Sequence, residues 1–242
     1  MLYKIISLLL VFAAFYTEPV NATQPITAKA WIVSDENGKI IEGKNTTDVR
    51  SIASITKLVT SMVVLDAQQD LNEKIGKLTR KELIQLAMVN SSNSAAVTLC
   101  ENYPGGTSAC IYSMNLKMRM HGLEQTRFVE PTGLSIMNIS TAEELIKIVM
   151  MAKDYPEIVE SSKMPSIKIQ TTKNKFLTYN NTNPLVQQYE FIVSKTGFIT
   201  ASGGCIAMML TNGISQRIVI LLGSQNTKTR IPEALSLFKL HS

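Results

Sequence analysis

The sequence predicts an α+β fold: an antiparallel β-sheet built from both chain ends, packed by helices, with an all-helical lobe inserted between. Three observations lead there. A hairpin signal lies near the start, helical signals fill the middle from Ser54 to Lys153, and strand-like runs return after Ile167. Strands from both ends pair most economically in one sheet, whose apolar faces then need helices to cover them.

The elements follow in order. "AWIVSDENGKIIEGK", from Ala30 to Lys44, holds two β-type runs around Asn37-Gly38, a dipeptide suited to the positive backbone angles of a tight hairpin turn. The apolar run after Ser54 predicts a helix. Thr79 and Glu82 have capping-box spacing ahead of "RKELIQLAMV", Ser140 and Glu143 have it ahead of "TAEELIKIVMMAK", and His121-Gly122 closes "SMNLKMRM". Beyond Ile167, "IKIQTT" and "KFLTY" flank a turn near Asn174. "FIVSKTGF", "GCIAMMLTN" and "RIVILLGS" follow as strands, the last two joined at Asn212-Gly213. A final helix is expected from Pro232, because proline suits a helix's first turn. No internal repeat or linker divides the chain, so residues 23–242 are expected to form a single domain.

The chain has 242 residues, 45% hydrophobic and 18% charged, which suits one folded core and excludes a disordered or fibrous protein. Residues 1–22 have the logic of an export leader: Lys4, then "IISLLLVFAAF", then "VNA" as an A-x-A-like cleavage site ending at Ala22. The apolar stretch is too short to span a bilayer comfortably, so a mature protein without a membrane span is expected from about Thr23. Export would expose Cys100, Cys110 and Cys205 to an oxidising compartment. Cys100 and Cys110 flank "ENYPGGTSA" and could pair across it, whereas Cys205, in an apolar run, is expected to be reduced and buried.

No cysteine or histidine shows metal-ligand spacing, so neither a metal nor another cofactor is expected. Net charge of +5 suits an anionic partner, but no Lys/Arg cluster with interleaved aromatics points to nucleic acid. His121 and His241 are the only histidines, which leaves a Ser-His-Asp hydrolase without a well-placed base.

The chemistry concentrates in "SIASITKLVT". A helix that is apolar on every side belongs in a core, and residues three apart share one helical face, so Ser54 and Lys57 become buried neighbours. Burial disfavours an ammonium and lowers its pKa. A neutral lysine can then take the serine proton, which is the Ser-Lys form of nucleophilic catalysis. Backbone N–H groups at the helix start would favour an oxyanion there. Spacing alone is weak: Ser236 and Lys239 form a second S-x-x-K pair, on an amphipathic final helix whose lysine can reach solvent.

Context separates the two pairs. "SITKLVT" resembles the S-x-T-K-x-x-T signature of the serine D,D-peptidases, the low-molecular-mass penicillin-binding proteins. Ser91-Ser92-Asn93 resembles that family's S-x-N element, and Lys195-Thr196-Gly197 its K-T-G strand. S-x-N also occurs at Ser113 and Ser224, but K-T-G occurs once, and the three stand in the family's order. "EPTGLSIMNIST", "YNNTNPLV" and "KTGFITASGGC" extend the resemblance over nearly the whole mature chain, without the C-terminal β-domain of many carboxypeptidases. The short form is most similar to the endopeptidase subgroup, which cuts D-alanyl to diaminopimelyl cross-links in bacterial peptidoglycan.

The resemblance implies a role for each residue. Ser54 is the acylated nucleophile, Lys57 its base, and Ser91 a proton relay to the leaving amine. Asn93 binds the substrate backbone. Lys195 keeps Lys57 deprotonated by its charge and, with Thr196, holds a substrate carboxylate. Gly197 admits the substrate to the strand edge, and the Phe198 N–H joins that of Ser54 as oxyanion donor. It also implies peptidoglycan cross-links as substrate, β-lactams as covalent inhibitors and a periplasmic location. The alternatives are a D-alanyl-D-alanine carboxypeptidase, a non-catalytic wall-binding protein, and a class A-like β-lactamase, for which Glu130 lacks the E-x-x-x-N spacing.

Overall fold

The computed structural model describes residues 25–172 and 174–242; the expected leader at 1–22 lies outside the described residues. The first half comprises β1 (Ala30–Asp35), β2 (Ile40–Lys44), β3 (Arg50–Ser51), α1 (Thr56–Asp66), β4 (Lys74–Ile75), β5 (Leu78–Thr79), α2 (Arg80–Val89), α3 (Asn93–Glu101) and α4 (Gly106–Met120). The second comprises β6 (Ile139–Ser140), α5 (Ala142–Ala152), α6 (Pro156–Lys163), β7 (Ser166–Thr172), β8 (Lys175–Asn180), β9 (Glu190–Ile199), β10 (Gly203–Thr211), β11 (Gln216–Ser224) and α7 (Arg230–His241).

Five strands make one antiparallel sheet in the order β2-β1-β11-β10-β9, so both chain ends build it as expected. The long apolar runs of β10 and β11 follow from burial on both faces. Side chains alternate: Ile206, Met208 and Leu210 pack with Ala234, Leu237 and Phe238 of α7. Cys205, Ala207 and Met209 join the larger core with Leu145, Ile148 and Val149 of α5 and the helical lobe. Strand β9 lies at one edge of the sheet.

Helix α1 is buried from Thr56 to Val64, the environment its uniformly apolar sequence requires. Thr79 caps α2 as expected: its hydroxyl accepts from Glu82 N at 3.1 Å while Glu82 Oε2 accepts from Thr79 N at 2.7 Å. The second cap falls one residue later than expected. Ser140 pairs with Arg50 in the β6–β3 ladder and is fully buried, so Thr141 caps α5 and accepts from Glu144 N at 3.1 Å. Helix α7 starts at Arg230 rather than Pro232, because Asn226 and Thr229 organise the preceding turn and leave Pro232 inside the first helical turn.

Two further differences concern the second half. Beyond Lys153 the chain forms α6, with Pro156 in its first turn. β7 and β8 form their own two-stranded sheet rather than extending the main one. Cys100 and Cys110 are joined by a disulfide with a Cα–Cα distance of 5.4 Å, bridging α3 to α4, and Cys205 is free and buried. Among the described residues no helix is long and apolar enough to cross a membrane.

Candidate active site

The chain enters α1 through a single 3-10 turn, Ala53–Ile55, in which Ala53 has φ 46°. Thr56 Oγ1 donates to Ala53 O at 2.8 Å and secures the turn. Ser54 therefore sits just ahead of the helix, partly exposed, and Lys57 lies in its first turn with no exposed surface. Lys57 Nζ is 2.8 Å from Ser54 Oγ, 2.7 Å from Asn93 Oδ1 and 2.6 Å from Thr132 O.

Burial lowers the Lys57 pKa to about 7, against an opposing pull from the Glu130 carboxylate. A neutral amine has two N–H donors and one lone pair. With Asn93 Oδ1 and Thr132 O as acceptors for both donors, the lone pair is left for the Ser54 hydroxyl. This geometry can make an alkoxide-like serine near neutral pH.

Ser91 and Asn93 sit where α2 gives way to α3. Ser91 has φ 60°, a left-handed conformation uncommon outside glycine. Ser92 caps α3 by accepting from Ala95 N at 3.2 Å, and Asn93 opens the helix. The Asn93 carbonyl oxygen thus serves Lys57, leaving its amide nitrogen end for the ligand contact expected of it.

Lys195 is fully buried on β9. Its Nζ donates to Ser91 Oγ and to Thr196 O, each at 2.9 Å. Burial first, then the nearby positive charges of Lys57 and Arg230, hold its pKa well below the usual ammonium range. For Lys57, too, desolvation is the largest cause, as its buried apolar surroundings lead one to expect. Burial is thus the largest cause for both amines.

Gly197 has an equally plain reason to be glycine. A Cβ there would lie 2.8 Å from Ser54 N and 3.0 Å from Ile52 O, so any side chain would push the serine turn away. The Ser194 N–H donates out of the sheet to Ser162 Oγ at 3.0 Å. Antiparallel alternation sends the N–H groups of Thr196 and Phe198 to that same open side. The Phe198 N–H therefore points away from β10, and the Phe198 side chain is 41% exposed.

The structure adds residues that the sequence left without roles. Glu130 accepts from Thr132 N, Thr132 Oγ1, Gly133 N, Ser135 N and Asn138 Nδ2 at 2.6–3.3 Å. Fully buried Asn138 also donates to Thr56 Oγ1 at 3.2 Å, and its carbonyl accepts from Ile52 N at 3.1 Å. Together they fix the loop that presents Thr132 O to Lys57. Arg230, at the start of α7, donates to Gly197 O at 2.6 Å and braces β9. Nothing in the sequence marks Arg230 for this contact, since the final helix is expected there only from Pro232.

A sheet covered by helices, with a serine and two buried lysines converging on its edge strand, defines a serine hydrolase that uses lysine in place of histidine. The comparisons agree. A family model described as D-alanyl-D-alanine carboxypeptidase matches residues 17–75 and 70–226, and the chain belongs to that family of serine D,D-peptidases. It is similar to the D-alanyl-D-alanine endopeptidase of Escherichia coli (strain K12), with 38% identity over 213 residues, 78% of this chain and 69% of the relative. It is also similar to the D-alanyl-D-alanine endopeptidase of Pseudomonas aeruginosa, with 33% identity over 238 residues, 88% of this chain and 77% of the relative. Penicillin-binding protein D2 from Listeria monocytogenes in its cefotaxime-bound form shares the fold, with a TM-score of 0.79 and 24% identity over 89% of this chain and 97% of that one.

Proposed function

We propose that the protein is an exported D-alanyl-D-alanine endopeptidase that cuts peptide cross-links in peptidoglycan through an acyl-Ser54 intermediate. The observation that carries the mechanism is the 2.8 Å approach of Lys57 Nζ to Ser54 Oγ, with burial lowering the amine to about 7. Lys57 takes the serine proton as Oγ attacks the D-alanyl carbonyl, and the N–H groups of Ser54 and Phe198 receive the oxyanion. Ser91, linked to Lys195, passes a proton to the departing amine. Asn93 holds the acyl side of the peptide, while Lys195 and Thr196 hold the carboxylate beside the scissile bond. Gly197 lets the peptide approach the open edge of β9. Water then releases the acyl group from Ser54.

Cleavage of a cross-link is favoured over removal of a terminal D-alanine because both curated relatives described above are endopeptidases. The same acyl-enzyme makes β-lactams covalent inhibitors, and the leader at residues 1–22 directs the chain to the periplasm. The test is to digest a cross-linked muropeptide dimer and a pentapeptide monomer side by side and separate the products chromatographically. Conversion of the dimer to monomers is expected. Loss of terminal D-alanine with the dimer intact would replace this reading with carboxypeptidase activity, and no reaction with either would remove it.

A further inference from the structure

One residue beyond Lys195, Thr196 Oγ1 donates to Thr182 Oγ1 at 2.7 Å. Thr182 lies on the crossover from β8 to β9, and that crossover is held on several sides. The Thr182 N–H donates to Val89 O at 3.0 Å, at the end of α2. Asn181 Nδ2 donates to Met164 O at 2.8 Å, and fully buried Asn183 donates to Ser194 Oγ at 2.9 Å. With the backbone so fixed, the hydroxyl protons are what remains adjustable.

Their arrangement has a consequence for an arriving anion. While the Thr196 proton points at Thr182, a carboxylate beside Lys195 meets only the lone pairs of Thr196. Rotating both hydroxyls reverses the bond: Thr182 O–H donates to Thr196 Oγ1, and the Thr196 proton turns to the carboxylate. Chained hydroxyls of this kind also polarise one another. A residue that both accepts and donates is needed next to Thr196, and threonine meets that need.

We propose that Thr182 is a positioning residue for the carboxylate that flanks the scissile bond, acting through Thr196. The inference rests on the reading of Thr196 as the carboxylate's partner. Its ligands are peptides with a carboxylate on the residue after the cut, and β-lactams with a free ring carboxylate.

The test compares the full chain with Thr182→Val, which keeps the shape, and Thr182→Ser, which keeps the hydroxyl. Acylation rates are measured by mass spectrometry with benzylpenicillin and with its methyl ester, and thermal melting reports folding. Thr182→Val is expected to lose about fivefold against benzylpenicillin and less than about twofold against the ester, with Thr182→Ser restoring the rate, since the neutral hydrogen bond that turns and polarises the Thr196 hydroxyl towards the carboxylate is what the variant removes. Equal losses on both ligands, or no loss on either, would overturn the proposal. If the valine variant does not fold, Thr182→Ser against Thr182→Ala decides on the same ratio. Failure of the unsubstituted protein to acylate at all would instead remove the proposed function beneath it.

Discussion

Lys195 Nζ donates to Ser91 Oγ across 2.9 Å, tying the edge strand of the sheet to the loop that opens α3. Ser91 is held for this contact at φ 60°, where a Cβ costs about 1–2 kcal/mol and glycine sits freely. Ser91→Gly and Ser91→Ala both remove the hydroxyl, so both should lose peptide hydrolysis alike. Denaturant melts should separate them, with the glycine variant the more stable by about 1 kcal/mol. Equal activity to the unsubstituted enzyme in either variant would exclude Ser91 from proton relay.

The pH behaviour of Lys57 follows from its burial. Acylation should rise with pH through about 7, as the amine loses its proton. Stability has the same direction. The folded pKa of about 7 lies below the reference value of 10.5, so between them the unfolded chain binds more protons. Stability contributed by this group is therefore fully present above 10.5 and is lost as pH falls towards 7. Melting temperatures across this range should show the slope in the native chain and a shallower one in Lys57→Met, which should also fail to form a penicillin adduct.

Glu130 opposes the lowering of the Lys57 pKa and holds the loop that carries Thr132 O. Glu130→Gln keeps the shape and removes the charge. The acid limb of the acylation profile should move to lower pH, and the protein should lose about 1–3 kcal/mol as carboxylate hydrogen bonds are weakened. Because all these bonds occupy the carboxylate, it is not free to activate a deacylating water. Nitrocefin should accordingly acylate the native enzyme without rapid turnover, and fast turnover would restore the β-lactamase alternative.

Gly197→Ala places a methyl 2.8 Å from Ser54 N, against backbone rather than a flexible side chain. The serine turn must shift, and overpacking of this kind costs about 1–3 kcal/mol. Acylation should fall by about a hundredfold, since reacting atoms misplaced by about 1 Å lose rate on that scale. Stopped-flow acylation that matches the native rate would show that the turn can yield.

What could be read from the chain divides along physical lines. Ser54, Lys57, Ser91, Asn93 and Lys195 were legible because side-chain chemistry carried in short spacings survives folding, and all five converge. The Asn37-Gly38 turn and the Thr79 cap were legible because their signals are local. The α5 cap was ambiguous in sequence, since both Ser140 and Thr141 are followed three residues later by glutamate. Tertiary pairing of Ser140 with Arg50 decided it. Thr132 serves through its carbonyl, a group every residue has, so no side-chain pattern reveals it. Arg230 and Thr182 act at positions fixed by long-range packing of α7 and of the β8–β9 crossover. The independence of the β7–β8 hairpin also escaped notice, because strand-like sequence does not say which sheet a strand joins.

The sheet's final strand is its middle one, flanked by the first strand on one side and by β10 on the other. Until residues 216–224 arrive, those two neighbours face an empty slot, and Arg230 has yet to reach its carbonyl. A chain without them leaves two unsaturated strand margins prone to mispairing. The brace on β9 therefore depends on a segment that follows every strand of the sheet, Arg230 reaching Gly197 O only once β11 is in place.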